Sequence, residues 1–172
     1  MPQLTQLRAD HASAVLAFEL ANRAYFAASI SDRGDEFFEQ FTDRFDALLA
    51  EQDTGSCAFY VLVAEDGSVL GRFNLYDIEN GSADLGYRVA QHVTGRGVAT
   101  ATVAEMCGLA VARHRLHTLR AATSLTNIAS QQVLTRTGFV AVGPANPGGQ
   151  PGTSYQRDLD VGAGTGPAEC PP

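Results

Sequence analysis

With 172 residues, 45% of them hydrophobic and 18% charged, the chain is long enough for one globular domain with a sizeable core. Its net charge of −7 argues against a nucleic-acid partner, which calls for a basic face. No apolar run approaches the roughly 20 residues of a membrane span, and the first residues lack the apolar core and basic start of a secretion signal, so a cytoplasmic location and no membrane partner are expected.

The cysteines Cys57, Cys107 and Cys170 are scattered and odd in number, which supports neither a disulfide framework nor a zinc site. No metal is expected, and Cys57 and Cys107 read as small core hydrophobes. Charge is distributed unevenly. From Asp10 to Asp53 there are ten acidic residues against three arginines, whereas from Arg72 to Arg136 seven arginines face Asp77, Glu79, Asp84 and Glu105. The first stretch favours cations and the second favours anions.

In chain order, "LTQLRA" reads as a first strand, after which Asp10 is placed to cap a helix through "HASAVLAFELANRAYF". "SISDRGD" is a loop by composition. Phe37, Phe41, Phe45 and Leu48 recur at helical spacing, so Glu36 to about Glu51 is expected to form an amphipathic helix with its phenylalanines in the core. Two turn signals, Asp66-Gly67 and Asn80-Gly81, then separate three β-rich runs, which predicts an antiparallel meander. On its middle strand, alternation sets Arg72, Asn74 and Tyr76 on one face. A helix is expected from about Val98 to Arg113 or His114, then a strand "LHTLRAAT", a short helix "NIASQQVLTRTG", and strands "FVAVG" and "TSYQRDLD". One domain over residues 1–160 is expected, with a Gly/Pro-rich disordered tail over 161–172.

Between the meander and the long helix lies "HVTGRGVAT". Gly95 and Gly97 lack a Cβ and expose the main chain, and the amides that open a helix have no intrahelical partner. This combination suits an anion such as a phosphate or diphosphate. A P-loop is excluded because the chain has no lysine. A dinucleotide fingerprint fails at Thr100, which replaces its third glycine, and no acidic residue follows in "LHTLRAAT".

The residues His92-Val93-Thr94-Gly95-Arg96-Gly97 match the acyl-CoA loop pattern [Q/R]-x-x-G-x-[G/A] except in their first position. "ADLGY", Ala83 to Tyr87, and "NIASQQVLTRTGF", Asn127 to Phe139, match two further blocks in the right order. On these motifs the chain resembles the GCN5-related N-acetyltransferases, and among them the RimJ/RimL branch, over roughly residues 4 to 159. The resemblance implies an α+β fold: a central, mostly antiparallel twisted sheet of about seven strands, flanked by helices and splayed where acyl-CoA binds. It implies acetyl-CoA as co-substrate and a primary amine as acceptor, and a homodimer is compatible with it.

Residue by residue, the resemblance assigns the diphosphate to Gly95, Arg96, Gly97, Val98, Ala99 and Thr100, and the pantetheine arm to Val89, Asn127 and Ser130. The main-chain N–H of Val89 would meet the thioester oxygen, with Gly86 marking a bulge beside it. Asp84 occupies the family's acidic position and is the candidate base, directly or through water. Many relatives carry a tyrosine acid where this chain has Leu134, so Ser130 is the substitute candidate acid. Asn74, Tyr76, Asp84 and Tyr87 are the candidate acceptor-binding residues. His92 lies in the phosphate turn, and His11, His114 and His117 read as surface or helix-end residues. The acidic first helices favour a cationic acceptor: a protein or peptide N-terminus first, a polyamine or aminoglycoside-like amine second. A catalytically weak module that only binds acyl-CoA is the rival reading, favoured by Leu134 and by the short side chain of Asp84.

Overall fold

The computed structural model describes residues 1–159; the tail expected over 161–172 lies outside the described residues. Strands β1 (Gln3–Gln6), β2 (Ala58–Val63), β3 (Val69–Glu79), β4 (Ser82–Val89), β5 (Thr118–Ser124), β6 (Val140–Ala145) and β7 (Gly152–Asp158) form one seven-stranded sheet in the order β1-β2-β3-β4-β5-β7-β6. The expected meander is its centre. At the β3–β4 turn Asn80 and Gly81 both take positive φ, 51° and 76°, the conformation that matches the right-handed twist of the two strands.

Among the described residues six α-helices cover the two faces: α1 (Ala12–Ala21), α2 (Arg23–Ala27), α3 (Asp35–Glu39), α4 (Phe41–Asp53), α5 (Val98–His114) and α6 (Ile128–Arg136). Phe73 and Tyr87 stack face to face on one side of the sheet, where Tyr60 reaches His114 of α5 and Tyr87 reaches Ser130 of α6. The opposite alternation sends Arg72 and Arg88 to Glu19 of α1. Phe37, Phe41 and Phe45 are buried as expected, and so are Cys57 and Cys107.

Several local expectations are corrected. Asp10 caps no helix: a 3₁₀ turn over Ala9–His11 precedes α1, so Asp10 lies inside helical backbone and pairs with Arg8. His11 is buried rather than superficial, because its Nδ1 accepts the Arg8 amide at 3.0 Å. The helix expected to continue to Phe26 breaks at Asn22, whose side chain donates to the Phe18 carbonyl and accepts the Gln91 amide, each at 2.9 Å. The second helix bends at Gln40, yet the bonds from the Gln40 amide to the Glu36 carbonyl and from the Arg44 amide to the Gln40 carbonyl carry through. No bulge falls at Gly86, which pairs regularly with Asn74; the irregularity lies between Tyr76 and Glu79, where Asp77 takes a φ of 50°. Gly86 instead makes room for a ring, since a Cβ there would stand 3.2 Å from Cε2 of Tyr76.

The feature that makes a site is the single parallel pairing. β4 and β5 run together only from Ser82 opposite Thr118 to Asp84 opposite Arg120. Beyond that point β4 continues along β3 to Val89, while β5 continues along β7 to Ser124. A wedge opens between them.

Candidate active site

The wedge is a cleft of about 310 Å³, walled by Leu85 to Arg88 of β4, Ala121 to Ser124 of β5, and Asn127, Ser130 and Leu134. Its β3 side carries Arg72, Asn74 and Tyr76, with Arg33 and Ser29 to Ser31 from the loop after α2. A second pocket of about 140 Å³ shares Tyr87, Arg88, Asn127 and Ser130 with it and extends to Val89, Thr94 and Ala99. Both pockets are lined by Arg88 from the α1 side of the sheet and by Tyr87 and Ser130 from the α6 side.

The backbone of β4 is directed into this gap. The Ala90 amide donates to the Leu70 carbonyl at 2.8 Å, so Ala90 faces β3. Successive main-chain groups point to opposite edges of a strand, and the N–H and C=O of Val89 and Tyr87 therefore face the side that β5 has left. At the far end of the second pocket, Gly95 and Gly97 both take φ near 76°, and Gly97 leads directly into α5. A Cβ at either glycine would meet nothing within 4 Å, so the space in front of the turn is open. The first amide that bonds back from this end of the helix is that of Ala101, to the Gly97 carbonyl at 3.0 Å. The amides of Val98, Ala99 and Thr100 are left for an outside acceptor. Arg96 is exposed on the same turn. His92 is exposed there as well, away from both pockets' shared wall.

On the helix side, Asn127 accepts the Ser130 amide at 3.2 Å and caps α6, which turns the Ser130 hydroxyl towards Tyr87. The two hydroxyls stand 2.9 Å apart. Burial pushes the Tyr87 phenol up to about 12, which keeps it a proton donor throughout the neutral range. Leu134 is buried against the cleft and offers no proton.

Asp84 stands at the last residue pair before the strands part. Its carboxylate accepts from Nε of Arg120 at 2.8 Å, and it is not part of the cleft wall. Of the candidate acceptor-binding residues the cleft brings together Asn74, Tyr76 and Tyr87; Asp84 lies outside its lining, opposite Tyr76 on β3.

The largest element missed in the sequence is a charge cluster. Glu19 is 1% exposed and accepts from Arg72 at 2.8 Å, from Arg88 at 3.2 Å and from Arg33 at 3.2 Å. Burial pushes the Glu19 carboxyl up, but Arg88, Arg33 and Arg72 together outweigh it and hold it below the usual carboxylate range. The one signal in the sequence is an acidic residue inside the apolar run "AVLAFELA", which demands a buried partner. The cluster also corrects the charge argument for a cationic acceptor. The other acidic groups near this end, Asp32 and Asp35, are engaged by Arg23, and no aspartate or glutamate lines either pocket among the described residues.

The fold and the site can now be set beside known proteins. Residues 3–140 match the family model of the acetyltransferase (GNAT) domain. No curated protein matches the sequence. Among solved structures, the chain is similar to a ribosomal-protein-S5-alanine acetyltransferase from Vibrio fischeri, with a TM-score of 0.85 at 20% identity over 92% of this chain and 93% of that one. It is similar to RimJ of Mycobacterium smegmatis, solved with a CoA-disulfide, with a TM-score of 0.80 at 23% identity over 90% of this chain and 80% of that one. A spermidine N-acetyltransferase from Vibrio cholerae, solved with CoA and spermine, gives a TM-score of 0.77 at 14% identity over 92% and 95% of the two chains. At these identities the likeness is one of fold; the family model covers the greater part of the sequence, and the chain belongs to the GNAT acetyltransferase family.

Proposed function

We propose that the protein transfers an acetyl group from acetyl-CoA to the amine of a protein or peptide N-terminus. The observation that carries this reading is the parting of β4 and β5 after Asp84 and Arg120, directly upstream of an open two-glycine turn at a helix start. The amides from Gly95 to Thr100 and the Arg96 guanidinium hold the diphosphate. The freed edge of β4 at Tyr87 and Val89, with Asn127, holds the pantetheine arm. The Val89 N–H is the donor for charge that builds on the thioester oxygen.

Attack by the amine forms the C–N bond and breaks the C–S bond, so one proton must leave nitrogen and one must reach the thiolate sulfur. Asp84 takes the first through water, with Arg120 fixing the direction of its carboxylate. Ser130, backed by Tyr87, gives the second. Asn74 and Tyr76 border the amine. No helix among the described residues is long and apolar enough to cross a membrane, and action on newly made proteins in the cytoplasm fits the reading.

A second reading, an acyl-CoA-binding module without turnover, is favoured by Leu134 and by the absence, among the described residues, of any Asp, Glu or His from the cleft wall. Release of free thiol from acetyl-CoA in the presence of N-terminal peptides separates the two. Amine-dependent release supports the transferase; tight coenzyme A binding with no release for any amine supports the module.

A further inference from the structure

We infer that the acceptor bears a carboxylate a few bonds from its amine, and that Arg33 and Arg88 in the cleft wall recognise it. The inference rests on the acetyltransferase reading of this cleft and narrows its substrate class.

Charge balance is the first support. Arg33, Arg72 and Arg88 all line the cleft, and among the described residues the only carboxylate that pairs with them is Glu19. Three cations share one anion. Arg72 and Arg88 each give Glu19 a single N–H, out of the five an arginine carries. Burial, and next to it the like charge of Arg33, pushes Arg88 down to about 10, with Glu19 opposing. A second anion beside Arg88 would relieve that repulsion, and a cationic polyamine would aggravate it.

The second support is a polar atom left without a partner. Asn74 lines the cleft and is 9% exposed; its Nδ2 donates to the Tyr76 hydroxyl at 2.9 Å, while its Oδ1 is buried and accepts nothing. An unmet buried acceptor is destabilising, and the amine N–H of an acceptor would satisfy it. Arg72 and Asn74 point from the same face of β3, two residues and so about 7 Å apart. Arg88 lies opposite Arg72 and Gly86 opposite Asn74. A carboxylate at the Arg88 level and an amine at the Asn74 level therefore belong to one small molecule or one peptide end. Two sources share this chemistry: the α-carboxylate of a free amino acid, and an acidic side chain next to a peptide's N-terminal residue.

The test measures thiol release from acetyl-CoA for matched acceptors: C-terminally amidated Ala-Asp-Gly against Ala-Asn-Gly, and free alanine against alaninamide, with spermidine as the cationic control. The same acceptors are titrated calorimetrically into the coenzyme A complex. At least a tenfold preference for the carboxylate member of one pair is expected, and the pair that shows it identifies the source. Arg33→Gln should reduce that preference towards unity, and Arg33→Lys should keep most of it. Matched acceptors within twofold of each other in both measurements, or spermidine used as efficiently as the carboxylates, would overturn the inference and leave the transferase standing. Failure to bind or consume acetyl-CoA at all would instead overturn the transferase reading, and this inference with it.

Discussion

The two ends of the cleft are made of different material. At one end the turn from Gly95 to Thr100 presents main-chain amides from consecutive residues, open to solvent and indifferent to most side chains. At the other end Glu19, Arg33, Arg72 and Arg88 converge from a helix, a loop and two strands, with Glu19 and Arg88 separated by 69 positions in the chain. The first end is set by backbone dipoles, which need no packing to be in place. The second works only because burial forces four charged side chains to satisfy one another. A site of the first kind depends on its glycines and on few side chains, whereas a site of the second kind depends on the pairing of its charged members.

The contrast is broken most severely at Glu19. Glu19→Gln leaves the buried Arg72, the half-buried Arg88 and the more exposed Arg33 without their shared anion, and a loss of about 3–5 kcal/mol in urea denaturation is expected. The same residue sets an acid limit. Its folded pKa is lowered, so its stabilisation is complete above the ordinary carboxylate pKa and is lost as pH falls through the lowered folded value. Wild-type stability should decline over that acidic range, and Glu19→Gln should lack this part of the decline.

Between the two ends stands Asp84. Asp84→Asn should lower the acetylation rate by roughly 100-fold with little change in coenzyme A affinity, and the deficit should shrink at high pH, where more of the amine arrives deprotonated. A pH-independent deficit with a lowered melting temperature would reduce Asp84 to a strand support through Arg120.

The solvent-exposed end predicts smaller, charge-specific losses. Arg96→Ala should weaken coenzyme A by about 1.5–3 kcal/mol in calorimetry and leave a phosphate-free pantetheine analogue unaffected. Stability should not move, which separates this end from the Glu19 cluster. The smallest effect is expected at Ser130: Ser130→Ala should cost under about tenfold in rate, since the coenzyme thiolate is a fair leaving group, and the deficit should persist at high pH.

Much of this architecture could be read from local pattern. The meander followed from Asp66-Gly67 and Asn80-Gly81, because positive φ at these turns is a property of the residues themselves. The open turn at the start of α5 followed from Gly95 and Gly97 for the same reason. Element ends were less legible. Asp10 looked like a cap, and only the packing of His11 against the Arg8 amide turned that stretch into a 3₁₀ turn. Gly86 looked like a bulge, and its function is to accommodate the Tyr76 ring, a contact between neighbouring strands.

By itself the sequence determined the order of strands and helices, the meander and the two-glycine turn that opens α5, since each is encoded within a few consecutive residues by φ preference and apolar period. Only the tertiary structure decided the charge of the cleft wall. A count along the chain set an acidic first third against a basic middle, but folding neutralises Glu19, Asp32 and Asp35 with arginines and turns Arg33, Arg72 and Arg88 towards the cleft. Net charge along a chain adds linearly, whereas the field inside a cleft depends on which charges are paired and which remain facing it.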